Sequence, residues 1–246
     1  MANFKPLKRY ILDLIDILIE KRSLRDPFLD VGCGQGDVAL HLAKRGWHGL
    51  AIDPSESAAA TARDILRPYQ EQVRVKSATI KEINETFQTV LLLDVLEHVT
   101  DGHNLLTEIR NKLSPDGKLI MTVPVKKHEW RWDDNFYGHI TRYEMDELVN
   151  FLSENGFRVV ENWDCTFPFF WALRRAYTRL LSPQSTHEYT PQERTLKSSH
   201  NSAWNQYGWL SAIMENRVIW KLLLLFQRLF RHSRFGFERL IIAEMK

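Results

Sequence analysis

Apolar and polar positions along this chain follow two alternating periods. In residues 6–22, Arg9, Asp13, Asp16 and Glu20 form one stripe, and Leu7, Ile11, Ile15 and Leu18 lie away from it. That spacing predicts an amphipathic helix, packed on a sheet or closing over a crevice. The short apolar run 27–31 then predicts a buried strand, 37–45 a helix and 47–53 a second strand. Ser55 suits the N-cap of a helix running to about Arg67, ahead of Pro68. Val73 and Val75 alternate with Arg74 and Lys76, so 72–78 predicts a third strand. Residues 89–94 are almost wholly apolar, as in a central strand. A helix over 101–113 should stop at the turn Ser114-Pro115-Asp116-Gly117, with a fifth strand over 118–125. An aromatic loop over 126–140 follows. Thr141, with Glu144 three residues on, predicts a capping box and a helix ending at Gly156. Strands over 157–163 and 237–246 close the series. Strands alternating with helices predict an α/β fold on a mostly parallel sheet.

The last two strands are separated by 166–235, whose chemistry differs from the rest. It holds ten Lys and Arg against three acids, net +7, and leaves 23 basic and 28 acidic residues, net −5, elsewhere. In 168–181, Phe169, Leu173, Ala176, Tyr177 and Leu180 share one side, with Arg174, Arg175 and Arg179 opposite. In 212–231, Arg217, Lys221, Arg228 and Arg231 lie within roughly 80° of one another at 100° per residue, amid Leu, Ile, Val, Phe and Trp. The polar middle, 182–202, is expected to be mobile. The segment reads as a helical cap over a crevice, or as a membrane-surface element with basic residues toward lipid headgroups. Its apolar faces argue against nucleic acid, which prefers a broadly polar groove with isolated stacking aromatics.

With 246 residues, the chain has room for one α/β domain carrying this elaboration and the N-terminal helix over 1–24. The two cysteines, Cys33 and Cys165, form no disulfide framework and point to a reducing, cytoplasmic setting. Asp13 and Asp16 interrupt the one apolar stretch that could serve a signal peptide.

The chemistry concentrates where the first strand ends. Gly32, Gly34 and Gly36 follow it at alternate positions, and a helix begins at Asp37. Strand, glycine turn and helix make a cofactor crevice at the carboxyl end of a parallel sheet. A dinucleotide motif would place its third glycine where Asp37 stands. Asp30 ends the first strand, which disfavours a diphosphate and favours an amine. Asp53 ends the second strand roughly 20 residues on, where such crevices grip a ribose diol. An amine, a ribose and no phosphate describe S-adenosylmethionine (SAM).

The segments D-V-G-C-G-Q-G (30–36), A-I-D-P (51–54) and L-L-D-V-L-E-H-V (92–99) resemble the class I SAM-dependent methyltransferases, and more narrowly the small bacterial branch with ubiquinone-type O-methyltransferases. The resemblance covers roughly 25–165 and returns at 236–246. It implies a Rossmann-like seven-stranded sheet with a helical insertion before the last strand. It also implies SAM contacts from Asp30, Gly32, Cys33, Gly34, Gly36, Asp53, Pro54 and Asp94. Asp30 would hold the amino group, the amides of Cys33 to Gly36 the carboxylate, and Asp53 the ribose hydroxyls. The family commonly places a carboxylate after its third strand for the adenine amine. Here Ser77-Ala78-Thr79 stands there, leaving a hydroxyl or the backbone.

Methyl transfer needs an acceptor held in line with the sulfonium, and an oxygen acceptor benefits from a base. His139 is the first candidate and His98 the second; an ordering role within the loop explains His139 equally well. Asp94, Glu97 and His98 resemble the divalent-ion cluster of some quinone O-methyltransferases, but a helix start explains the same acids, and no metal is assigned. The expected reaction is O-methylation of a hydrophobic small molecule such as a quinol, lipid or secondary metabolite. N- or C-methylation on the same scaffold, and a catalytically silent SAM-binding subunit, are the alternatives.

Overall fold

The computed structural model describes residues 5–180 and 216–246. The polar stretch 182–202 and the outer ends of the two insertion helices, 181 and 212–215, lie outside them. The strands are β1 (Phe28–Val31), β2 (Gly49–Asp53), β3 (Val73–Ser77), β4 (Phe87–Leu93), β5 (Leu113–Pro124), β6 (Phe157–Asp164) and β7 (Glu238–Met245). They form one sheet in the order β3-β2-β1-β4-β5-β7-β6. β7 runs antiparallel to both neighbours and the other pairings are parallel. The order reverses between β1 and β4, which opens a crevice at their carboxyl ends.

Eight helices flank the sheet among the described residues. They are α1 (Pro6–Arg22), α2 (Asp37–Ala43), α3 (Glu56–Leu66), α4 (Gly102–Lys112), α5 (Trp132–Tyr137), α6 (Met145–Glu154), α7 (Phe169–Leu180) and α8 (Arg217–Gln227). Side chains alternate across each strand, so one face buries Phe28, Leu91, Ile120, Leu240 and Ile242 beneath α1, α2, α7 and α8. The other buries Leu29, Leu92, Met121, Ile241 and Ala243 beneath α4 and α6. By that alternation Asp30 shares the α1 face with Phe28. α1 buries Tyr10, Ile11, Leu14, Ile15 and Leu18, so it packs on the sheet along most of its length. None of the described helices is long and apolar enough to cross a membrane.

Three local expectations need correction. β5 begins at Leu113, not 118: Leu113 pairs with Phe87, and a register shift before the Thr89–Lys118 pair absorbs Ser114 to Gly117 inside the strand. α6 is capped at Glu144, not Thr141. The reason is tertiary: Tyr143 bridges Val125 and accepts from the Lys126 amide at 2.8 Å, so 141–143 is held extended along the end of β5. The helix starts after that contact, and Glu147 reaches back to the Glu144 amide. Finally, Arg174 is not on a solvated face of α7. It is buried, whereas Leu180, assigned to the apolar side, is 79 % exposed.

Candidate functional site

The carboxyl ends of β1, β2 and β4 bring the SAM-side residues together. Gly32, Gly34 and Gly36 all adopt positive φ. At Gly32 a Cβ would meet Val95 Cγ2 at 2.7 Å; at Gly36 it would meet Ala62 Cβ and Leu66 Cδ1, both at 3.2 Å. These two positions are therefore glycine because β4's exit and α3 press on the loop, besides any approach by a ligand. The expected anion-binding amides are largely used inside the fold. Cys33 N–H donates to Ile52 O, Gly34 N–H to Asp53 Oδ2 and Gly36 N–H to Cys33 O, each at 2.9 Å. The amides of Cys33, Gly34 and Gly36 are thus committed within the fold and, contrary to expectation, are not turned toward a ligand carboxylate. Burial pushes the Cys33 thiol up, so it stays neutral.

Asp30 is 2 % exposed, and its Oδ2 has no hydrogen-bond partner. Burial pushes its carboxyl up to about 7; the Lys8 charge and the Ala39 amide pull the other way, and Asp53 and Asp37 add to the rise. An orphaned buried carboxylate oxygen at a cofactor crevice fits an ammonium group. Lys8, on the first turn of α1, gave no signal in the sequence, because it forms part of no local motif. Asp53 accepts from Gly34 N–H and, at 2.9 Å, from Ser55 N–H. A carboxylate has about four acceptor sites, which leaves capacity for a ribose diol. Ser55 also caps α3, accepting from Ala58 N–H, and exposed Pro54 stands beside it. Beyond β3, Thr79 is occupied by Glu82.

Asp94 follows β4 with φ 56 and is exposed. Its amide and carboxylate are both tied to Thr122 on β5, whose hydroxyl donates to Oδ1 at 2.6 Å. Next to it, burial and the Asp94 charge raise Glu97 well above the carboxylate range, and Glu97 Oε2 has no partner. Glu238, opening β7, is likewise pushed up to about 8 by burial and by Asp94. His98 donates from Nδ1 to Gly138 O at 3.1 Å, and burial lowers its pKa, with the adjacent His139 ring adding to the fall.

The two histidines meet edge to face, ring centroids 5.1 Å apart. His139 Nδ1–H donates to Asp134 Oδ1 at 2.8 Å, and its Nε2 lies 3.9 Å from Glu97 Oε1. Burial alone would raise Asp134; the His139 hydrogen bond and the Arg142 and Arg174 charges outweigh it and hold the carboxyl well below the usual range. The ring therefore sits between a fixed anion and a carboxyl that burial keeps protonated, an arrangement suited to accepting a proton at Nε2. The ligand atoms of Glu97, His98 and His139 lie within 4.8 Å of one another, close enough to share a divalent ion. That group contains His139 where the sequence pattern had Asp94. Asp134, in the six-residue α5, and Arg142, in the extended stretch before α6, were missed because a single buried carboxylate and guanidinium have no periodic signature.

A switch-point crevice with an ammonium-ready carboxylate and a diol-ready carboxylate defines a SAM-binding α/β domain. Residues 4–162 match the methyltransferase-domain family, and the chain belongs to it, among the class I SAM-dependent methyltransferases. It is 27 % identical over 126 residues to a ubiquinone biosynthesis O-methyltransferase of Rickettsia akari (strain Hartford), covering 50 % of each chain. The chain thus spans about half the length of the curated relatives it matches. In fold it is similar to geranyl diphosphate C-methyltransferase from Streptomyces coelicolor A3(2): TM-score 0.60, 14 % identity, covering 95 % of this chain and 77 % of that one. It is also similar to magnesium protoporphyrin IX methyltransferase from Synechocystis PCC 6803 with bound SAH, the demethylated form of SAM: TM-score 0.57, 14 % identity, covering 98 % and 84 %. The family match ends at 162, before α7, α8 and β7.

Proposed function

We propose that this protein transfers the methyl group of SAM to an oxygen of a hydrophobic small molecule, with His139 as the base. The observation that carries the reading is the Asp134–His139 pair at the rim of the crevice that Asp30 and Asp53 line. Relatives named ubiquinone biosynthesis O-methyltransferases favour oxygen, and a quinol or similar phenol, as acceptor. When bound, SAM supplies an electrophilic methyl group on a sulfonium. Asp30 would hold its ammonium, Lys8 its carboxylate and Asp53 its ribose hydroxyls, with Pro54 against the nucleoside. Asp94, held by Thr122 at the end of β4, would lie on the sulfonium side of the bound cofactor. His139 Nε2 would take the acceptor's hydroxyl proton, and Asp134 would stabilise the imidazolium that results. Phe136 and Tyr137 of α5, which pack on one another with Tyr137 stacked beside His139, would offer apolar surface to such an acceptor.

The acceptor would be collected at a membrane surface, in a reducing, cytoplasmic setting. Supporting this, α8 is apolar on both sides. Trp220 and Leu224 are buried against the body, while Val218, Leu222 and Leu225 are 75 %, 68 % and 53 % exposed. Lys221 and Arg228 flank that outer face.

Incubation with methyl-labelled SAM and a lipid-plus-polar extract tests the reaction. Label should enter the apolar fraction as a base-stable ether. His139→Gln should slow it by roughly 10²-fold or more with SAH affinity unchanged. SAH binding with no labelled product in any fraction would instead mark a silent SAM-binding subunit.

A further inference from the structure

His139 lies in an irregular segment between β5 and α6, with only the six-residue α5 for regular structure. Something other than a helix or ladder must fix its ring. Asp134 does so directly, and every acceptor position on Asp134 is used. Oδ1 accepts from His139 Nδ1–H at 2.8 Å and Arg142 Nε–H at 2.7 Å; Oδ2 accepts from the Arg131 amide at 2.8 Å and Arg174 Nη2–H at 2.7 Å. The His139 amide also donates to Asp134 O at 3.0 Å.

Arg174 comes from α7, beyond β6 and outside the family match. Its Nε and Nη2 grip Asp133 in a fork at 2.8 and 2.6 Å, while Nη1 donates to Glu129 O at 3.0 Å. Tyr177, one turn on, donates its hydroxyl to Asp133 as well. The guanidinium lies over the Phe237 ring at the start of β7, 4.7 Å from its centroid. Arg142 meets the same residue from another side, donating to Phe237 O and Val125 O. Asp133, Asp134, Arg142 and Arg174 are all at most 6 % exposed. Two buried anions and two buried cations balance in charge, but such a group is stable only while its hydrogen bonds are complete.

We infer that Arg174 is a positioning residue for His139, acting through Asp134, so that the helix after β6 builds the acceptor side of the site as well as covering it. This rests on His139 being the base. Arg174 and Arg142 fix the Asp134 carboxylate, Asp134 holds the Nδ1–H, and Nε2 is left with its lone pair toward Glu97 and the crevice. A carboxylate that fixes an imidazole tautomer acts on rate far more than on binding.

Two-bond ¹H–¹⁵N NMR of the whole chain, ¹⁵N-labelled in its histidines, reads the tautomer without any acceptor. His139→Gln assigns the signal. In its neutral form, wild-type His139 should show protonated Nδ1 and bare Nε2. Asp134→Asn should reverse that preference. Arg174→Lys, which keeps the charge and loses the fork, should give a mixture, and Arg179→Gln should leave the signal unchanged. Calorimetry with SAH serves as the control: equal affinity in all variants shows an intact cofactor half. Absent SAH binding in the wild type would overturn the methyltransferase reading itself. Labelled-methyl transfer should fall roughly tenfold or more in Arg174→Lys. A purely structural Arg174 would lower the melting temperature and leave the tautomer alone. That result, or protonated Nε2 in the wild type, would overturn the inference. Should Arg174→Lys fail to fold, Tyr177→Phe removes one hydroxyl from the same grip and should shift the His139 signal in the same direction.

Discussion

Asp30 is a buried acid whose unpaired oxygen makes its ionisation conditional on a ligand. In the free protein its carboxyl titrates near neutrality, because burial opposes the charge. An ammonium partner reverses that balance, so binding should release a proton wherever the free carboxyl is protonated. SAH affinity should therefore be greatest above pH 7 and weaken by up to tenfold per unit below it. Calorimetry at pH 6 in two buffers of different ionisation heat would measure the released proton directly. Asp30→Asn should cost roughly 1.5–3 kcal/mol of binding and abolish the pH dependence. Affinity that stays flat across this range would contradict the assigned contact. Asp30, Asp53 and the glycines were readable in the sequence because each sits at a fixed offset from a strand end. Lys8 was not, since it reaches the crevice only through the packing of α1.

Elements show the same division between local signal and tertiary override. α3 starts where Ser55 predicts, since nothing competes for the preceding backbone. α6 does not start at Thr141, because residues 141–143 are already committed to β5. Stability should follow the observed cap. Glu144→Ala removes the acceptor of the Lys127 amide and should cost about 1 kcal/mol. Thr141→Ala, which loses only a 3.4 Å contact to Arg142 O, should change the denaturation midpoint little. Equal effects from the two substitutions would restore Thr141 as the cap. The helical period also misplaced Arg174. Periodicity treats every arginine as solvent-facing, whereas a buried partner pair, Asp133 and Asp134, draws this one inward.

At the scale of the whole molecule, the outer face of α8 stands out among the described residues as an exposed apolar surface. Val218, Leu222 and Leu225, with Leu229 in the short turn Arg228–Phe230 beyond, stand exposed together. Apolar surface bordered by basic residues favours an anionic bilayer over a neutral one. The full chain should co-sediment with vesicles of phosphatidylcholine and phosphatidylglycerol, weaken at high salt, and ignore phosphatidylcholine alone. The triple variant Leu222→Glu, Leu225→Glu, Leu229→Glu should remain in the supernatant with its SAH affinity intact. If that variant instead converts a dimer to a monomer in sedimentation velocity, a second copy covers the face and the membrane reading fails.

By itself, the sequence determined the strand–glycine–helix succession, the mostly parallel sheet and the acids at the ends of the first two strands. Those features are written in short-range backbone chemistry: alternation, glycine's access to positive φ, and acids placed where strands end. Tertiary structure alone decided what surrounds His139, which the sequence had marked as a candidate base. Asp134 of α5, His139 and Arg142 of the segment after it, and Arg174 of α7 meet in one buried group, while in the cofactor half Lys8 of α1 approaches Asp30. The Arg174–Asp134 contact, 40 positions apart, and the irregular local ones from His139 and Arg142 leave no periodic trace, because what selects them is the shared cost of burying charge, and that cost exists only once the chain has folded.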